Sequence, residues 1–264
     1  MTLLPRCARL LCLTLISVAL GPEASTAWSW QGEYTIRYLG MDVVVATLGA
    51  ESAADGGLHV EATARTTAIA SILYSIDNLY VAEVDSVTLA PRWWSKRIRQ
   101  TDVTNDLRVT PLADLERADY GTFGTHPLPR GSTPFVALLA TIPLRRWTVG
   151  DTRTVPLDLE GRHLVATLRC TRREPRMLLG FRRDCAIVAL EMVELSTSPG
   201  SILPRTDMLT HHIADDDYRW EFSVSDGGIL VGADLHKVGG RTIRANLTSH
   251  RFFRQRTADT KATQ

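Results

Sequence analysis

Between Pro134 and Pro143 the chain reads Phe-Val-Ala-Leu-Leu-Ala-Thr-Ile, with no charged side chain and no face left for water. Thr133 supplies an N-cap, Pro134 stands where its missing N–H costs nothing, and Pro143 stops the segment. The spacing therefore predicts a short helix over 134–142. A helix that is apolar all round either spans a membrane or is enclosed by protein, and about nine residues cannot span. It must be wrapped.

The rest of the chain offers strands to wrap it. Period-two alternation runs through 33–39, 58–65, 154–159, 164–170, 185–195, 218–224, 229–233 and 241–247, with denser apolar runs at 41–48 and 79–84 and a further strand over 91–98. Asp55-Gly56-Gly57 and Ser225-Asp226-Gly227-Gly228 read as hairpin turns. Ile69, Ile72, Leu73 and Ile76 have helical spacing and predict a second short helix within 67–76. Residues 101–125 are polar and turn-rich, with weaker strand signals at 106–109 and 120–123. No fixed-period repeat and no strong linker interrupts the pattern. The expectation is one all-β or β-rich domain over 28–253, a curved antiparallel sheet or incomplete barrel with one or two short helices, one of them buried in the concave face. Residues 254–264 read as a polar tail.

The first 27 residues are set apart. Arg6 and Arg9 precede an apolar run from Leu10 to Leu20, and Ser25 and Ala27 close the segment with small side chains, the layout of a secretory signal peptide cleaved after Ala27. The run is too short for a membrane anchor, and neither Cys7 nor Cys12 stands in a lipidation context. The expectation is an exported, periplasmic protein that does not span the membrane. Removing this segment takes away Arg6, Arg9 and Glu23 and leaves 28 cationic and 28 anionic side chains. A neutral chain argues against a nucleic-acid partner, because phosphate-backbone affinity needs a surplus of cations on one face.

Only Cys170 and Cys185 remain after cleavage, and an even pair in an oxidising compartment reads as a structural disulfide. Pro175 and Gly180 lie between them as turn residues. Pairing the flanking strands with the cysteines opposite would set Leu168 against Ile187 and Val165 against Leu190, an apolar register. No Cys-x-x-Cys spacing supports a redox-active pair.

Several stretches resemble the DUF3108 family of exported bacterial proteins. They are Gly32-Glu33-Tyr34-Thr-Ile-Arg-Tyr38-Leu39-Gly40, Leu73-Tyr74-Ser-Ile-Asp77 before a strand closing on Thr88-Leu89-Ala-Pro91, the block from Pro134-Phe135 to Val149-Gly150-Asp151, and Phe222-Ser-Val-Ser225-Asp226 with Lys237-Val-Gly239 and Ala245-Asn-Leu247. The likeness covers about residues 30 to 250 and departs at the polar segment 101–125. It implies a β-rich envelope domain akin to the curved half-barrels of lipoprotein carriers, with no established reaction and no catalytic residues to carry over.

Catalytic motifs are missing. Neither a Gly-x-Ser-x-Gly elbow nor a Walker loop occurs, and His126, His163 and His212, possible bases for an envelope hydrolase, have no nucleophile beside them in sequence. His211, His212 and Asp215-Asp216-Asp217 are the densest ligand-like cluster, but adjacent residues on a strand face opposite ways, and calcium-loop spacing is lacking. No metal and no cofactor is expected. Arg172, Arg173 and Arg176 could form a patch for anionic envelope groups, or could be neutralised by neighbours such as Glu174 and Asp184. Phe135, Leu138 and Leu139 of the helix, with Trp93 and Trp147, are candidates to line an apolar ligand cavity, against ordinary core packing. The function expected is non-enzymatic binding of an apolar or amphipathic, lipid-like envelope molecule. The alternative is a structural or interaction component that contacts an envelope protein and holds no small ligand.

Overall fold

The computed structural model describes residues 28–254 apart from 54, 114, 115, 214 and 216. The predicted signal segment and nearly all of the predicted tail lie outside the described residues. The first half of the chain is a meander of β1 (Trp28–Tyr38), β2 (Met41–Ser52), β3 (Gly57–Thr66), β4 (Asp77–Asp85), β5 (Pro91–Arg99), β6 (Thr104–Pro111), β7 (Arg117–Asp119) and β8 (Thr125–Pro127). The second half contains β9 (Thr133–Pro134), β10 (Thr152–Leu159), β11 (Arg162–Leu178), β12 (Phe181–Glu194), β13 (Tyr218–Ser225), β14 (Leu230–Lys237) and β15 (Thr242–Arg254). Two helices interrupt it, α1 (Phe135–Thr141) before β10 and α2 (Met208–Ile213) before β13.

These strands form a single 15-stranded sheet in which β1 pairs with both β2 and β15, so the two meanders join at the middle and β8 and β9 are the outer edges. Every ladder is antiparallel except the short β9–β10 pair. The sheet curls until its edges approach. The Thr133 hydroxyl donates to the Leu89 carbonyl at 3.0 Å, and the buried His163 ring donates through Nε2 to the Pro127 carbonyl at 3.0 Å. Among the described residues no strand ladder crosses this seam, so the barrel is open.

Alternation decides which side chains go inside. On β4 the buried residues are Asn78, Tyr80, Ala82 and Val84, and on β5 they are Trp94, Lys96 and Ile98. Ala82, Val84 and Trp94 share one core with α1, whose Ala137, Leu138 and Ala140 are fully enclosed, while Tyr80 and Ile98 form a smaller cluster with Val103. The wrapped helix expected from the apolar segment is present, although it starts one residue late. Pro134 is its extended N-cap and its ring has no group to make a side-chain cap bond, while the hydroxyl of Thr133, the expected cap, donates to the Leu89 carbonyl instead.

Three local expectations are corrected. Residues 70–72 make only a single 3-10 turn, since Ile69, Ile72 and Leu73 find nothing to pack against and only Ile76 is buried. The strand signal at 120–123 is a second 3-10 turn, Gly121–Phe123. Pro175 does not turn the chain. It lies within β11 opposite Asp184, and the reversal comes at Leu179-Gly180.

That longer hairpin also undoes the proposed disulfide. Cys170 pairs with Val188 and Cys185 with Glu174, while Leu168 faces Leu190 and Val165 faces Val193. The cysteines are thus offset along the ladder by three residues, roughly 10 Å at strand rise, beyond the reach of a disulfide. Both are buried free thiols, and burial is the main reason their pKa values rise.

Candidate functional site

The inner surface of the sheet and α1 do not meet everywhere. Between them lies a cavity of about 830 Å³. Its walls come from β1 to β5, from β10 and from β13 to β15, and are mostly apolar, with Tyr34, Leu48, Trp94, Trp220, Phe222 and Ile243 among them. Helix α1 contributes one wall through Phe135, Val136 and Leu139. Val136 and Leu139 are only half-buried because they look into this space, whereas Leu138 turns the other way into solid core. Phe135 packs edge-on against Trp220, with ring centroids 6.0 Å apart, and Trp220 stacks on Phe222 at the same distance.

Of the cavity residues expected from sequence, Phe135 and Leu139 line the space, and Leu138, Trp93 and Trp147 do not. Trp93 lies on the outer face of β5, with the Arg108 guanidinium 4.3 Å above its ring. Its neighbour Trp94 points inward, as strand alternation requires once the register is set. Trp147 is buried elsewhere, its indole N–H donating to the Ile142 carbonyl at 2.9 Å.

One part of the lining is polar, and sequence reasoning missed it. Lys96 Nζ lies 2.8 Å from Asp207 Oδ2 and also contacts the Glu160 carboxylate, and all three side chains are almost wholly buried. Tyr80 donates its hydroxyl to Asp207 Oδ1 at 2.9 Å, and the Thr210 hydroxyl donates to Oδ2 at 2.8 Å. Glu160 accepts from the Thr206 hydroxyl at 2.7 Å and from Ser201 at 3.1 Å. Glu160 occupies the first position of the Glu160-Gly161 turn with φ +57°, a conformation most side chains avoid. These partners come from β5, from the β10–β11 turn and from the connection preceding α2, so no sequence spacing could have announced the cluster.

Burial pushes Lys96 below its ordinary pKa, against the pull of Asp207. Asp207 is itself held below the usual carboxylate value by the Lys96 charge and hydrogen bond and by Thr210, which outweigh its burial. Asp158, beside them in the lining, is pushed up to about 7 by burial, and the opposing effects of Tyr120, Gly161 and Lys96 are smaller. Its Oδ1 accepts the Gly161 N–H at 3.0 Å, while Oδ2 and the buried Tyr120 hydroxyl influence each other but miss hydrogen-bonding geometry. Three further donors on lining residues, Trp94 Nε1, Trp220 Nε1 and Gln100 Nε2, are closed off from the space and have no hydrogen-bond partner among the described residues.

The arginines are placed differently. Arg172 forms a fork with Glu221 at 2.7 and 2.8 Å and also contacts Glu174. Arg173 bridges Asp184 and Asp226, and Arg176 bridges Glu174 and Asp234. Carboxylates of the protein itself thus occupy the guanidinium groups that would have met an anion from outside. His211 and His212 lie on α2 and not on a strand. Among the described residues, no three His, Cys, Asp or Glu side chains gather as a metal ion requires. His126, His163 and His212 each give a ring nitrogen to a main-chain carbonyl, those of Phe123, Pro127 and Met208.

No family model matches the chain, that of the DUF3108 proteins included, and no curated protein matches it. Two solved structures are similar in backbone course. One is a beta-barrel-like protein of the domain of unknown function DUF1849 from Brucella abortus, with a TM-score of 0.49 and 9% identity over 86% of this chain and 98% of that one. The other, from Bacteroides fragilis, is described as an exported protein with a YmcC-like fold, with a TM-score of 0.34 and 10% identity over 85% of this chain and 95% of that one. At such identities the likeness lies in the course of the backbone and not in side chains that could be matched position by position.

Proposed function

We propose that this is an exported, non-enzymatic protein that holds an amphipathic, lipid-like molecule inside its open barrel. The observation that carries the reading is the cavity of about 830 Å³, walled by apolar side chains and polar at one place. Its size falls within the range of small-molecule sites, roughly 300–1,000 Å³. Apolar walls favour hydrocarbon, and the polar residues in the lining, Lys96, Glu160 and Gln100 among them, favour a ligand that also has a polar end. The basic group of the polar cluster, Lys96, is clamped between two carboxylates, an arrangement suited to holding structure more than to exchanging protons with a substrate. The signal-like layout of residues 1–27 supports a periplasmic location.

Native mass spectrometry with solvent extraction of the purified protein tests the reading, together with titration by a fluorescent long-chain fatty acid. The protein should carry extractable lipid or bind the fatty acid. Leu139→Trp should weaken that binding by about tenfold or more, because the larger ring occupies the space beside α1. A protein that is empty after extraction and does not take up the fatty acid would remove the basis of the proposal and favour an interaction role with an envelope protein.

A further inference from the structure

The cavity opens at one end of the barrel, and the chain reversals there carry apolar side chains into solvent. Ile69, Ile72 and Leu73, around the 3-10 turn, are 79%, 83% and 85% exposed. The adjacent β1–β2 turn exposes Leu39 and Met41. The two segments are tied together, since Thr67 donates its N–H to the Val43 carbonyl and its hydroxyl to the Asp42 carbonyl, both at 3.0 Å. Leu39, Met41, Ile69 and Leu73 all border the cavity, so the patch is its rim.

Leu39 also adopts φ +56° in a two-residue turn where Asn, Asp or Gly is the unstrained choice. A strained leucine with half its surface in water benefits neither the turn nor the core. Beside the β1–β2 turn, the β14–β15 turn brings exposed Lys237 and Arg241 to the same rim, which Tyr38 also lines. The β1–β15 register, which sets Arg37 opposite Arg244, places the two turns side by side. Apolar tips with a tyrosine and cations alongside are the arrangement of a surface that enters the head-group zone of a bilayer.

We propose that this rim docks reversibly on an anionic phospholipid surface, with the apolar tips inserted and Lys237 and Arg241 against lipid phosphates. Docking would seat the cavity mouth on hydrocarbon, so an amphipathic ligand could pass without crossing water. The surface stands on exposed side chains, whereas its use in ligand exchange rests on the function proposed above.

The test is co-sedimentation of the mature protein with vesicles of phosphatidylethanolamine containing a minor share of phosphatidylglycerol. Fatty-acid uptake by the same samples is measured separately. The variant Ile69→Ser/Ile72→Ser/Leu73→Ser alters only exposed side chains. It should lose about tenfold or more of the vesicle-bound fraction, since burying these apolar side chains drives docking, whereas Ile72→Ser alone, at a side chain outside the cavity lining, should weaken sedimentation and keep fatty-acid uptake. Lys237→Ser/Arg241→Ser should bind more weakly and with less dependence on salt. Wild-type protein left in the supernatant would overturn the proposal, as would a triple variant that sediments as well as wild type. A rim-dependent dimer in place of vesicle binding would overturn it too, by assigning the patch to a protein contact. Vesicle binding without fatty-acid uptake would leave the docking surface standing and remove the cavity reading.

Discussion

Asp158 is a fully enclosed carboxyl whose pKa is pushed up to about 7, mainly by burial, from an ordinary 3.8. In the unfolded chain it loses its proton near the ordinary value, but in the folded protein it keeps the proton until near neutrality. Between those limits the folded state binds more protons, so stability falls as pH rises from about 4 to about 7. Asp207 works in the opposite sense, because its depressed value adds stability above the ordinary carboxylate range and loses it under stronger acid. Thermal unfolding followed across pH should therefore show greatest stability on the acid side of neutrality. Asp158→Asn keeps an oxygen for the Gly161 N–H and should flatten the decline toward neutral pH, exceeding wild type near pH 8 by on the order of a few kcal/mol. A wild-type curve that is level from about pH 5 to 8 would refute this assignment. Neither aspartate was legible in the sequence, where each is one acidic residue among 29 acidic side chains. Trp93 and Trp94 show the opposite limit. Alternation does say that only one of the two can face inward, but the choice depends on the β4–β5 register, which sets Trp94 opposite Ala82.

Between elements, the open seam is held by side chains where the sheet has no ladder. Lys96 belongs to β5, Glu160 to the β10–β11 turn and Asp207 to the connection before α2, so this ion cluster joins the first meander to the second. The same connection is pinned by Asn105 donating to the Arg205 carbonyl at 2.8 Å and by the Ile202 N–H donating to the Glu160 carbonyl at 2.8 Å. Lys96→Met would leave two buried carboxylates without their cation and should cost roughly 3–5 kcal/mol in urea unfolding. A loss within experimental error would show that the seam is held elsewhere. The strands themselves were largely readable because each has one face in water and one in the core, which prints the alternation into the sequence. Helix α1 was readable from the two prolines and the unbroken apolar run. Helix α2 was not, because six residues make under two turns and its position depends on Asp207 and Lys96. The cysteine register failed because a bulge between Cys170 and Arg172, and a turn placed later than Pro175 suggested, shift the whole β11–β12 ladder.

At the scale of the molecule, the order of strands decides how the protein must come apart. The two halves meet through the long β1–β15 ladder, which joins Trp28 to Arg254 at opposite ends of the described chain. Neither half encloses the cavity alone, for its walls run from β1 to β5 on one side and from β10 and β13 to β15 on the other. Helix α1 follows β9 yet packs against β3 and β4, so its apolar surface is covered only when both meanders are in place. Unfolding either half would expose that helix and the inner face of the other, a cost set by apolar area and shared by both. The whole should therefore melt as one cooperative unit despite its size. Variants retaining a single tryptophan, Trp94 in the first meander or Trp220 in the second, with the others changed to Phe, report on each half separately. Their urea midpoints should coincide with each other and with the loss of sheet signal by circular dichroism. A bound fatty acid should raise both midpoints together, by about 2.7 kcal/mol of stability at a hundredfold excess over its Kd. If the Trp94 and Trp220 midpoints separate, the meanders are independent units. If only one moves with ligand, the occupied site does not bridge them.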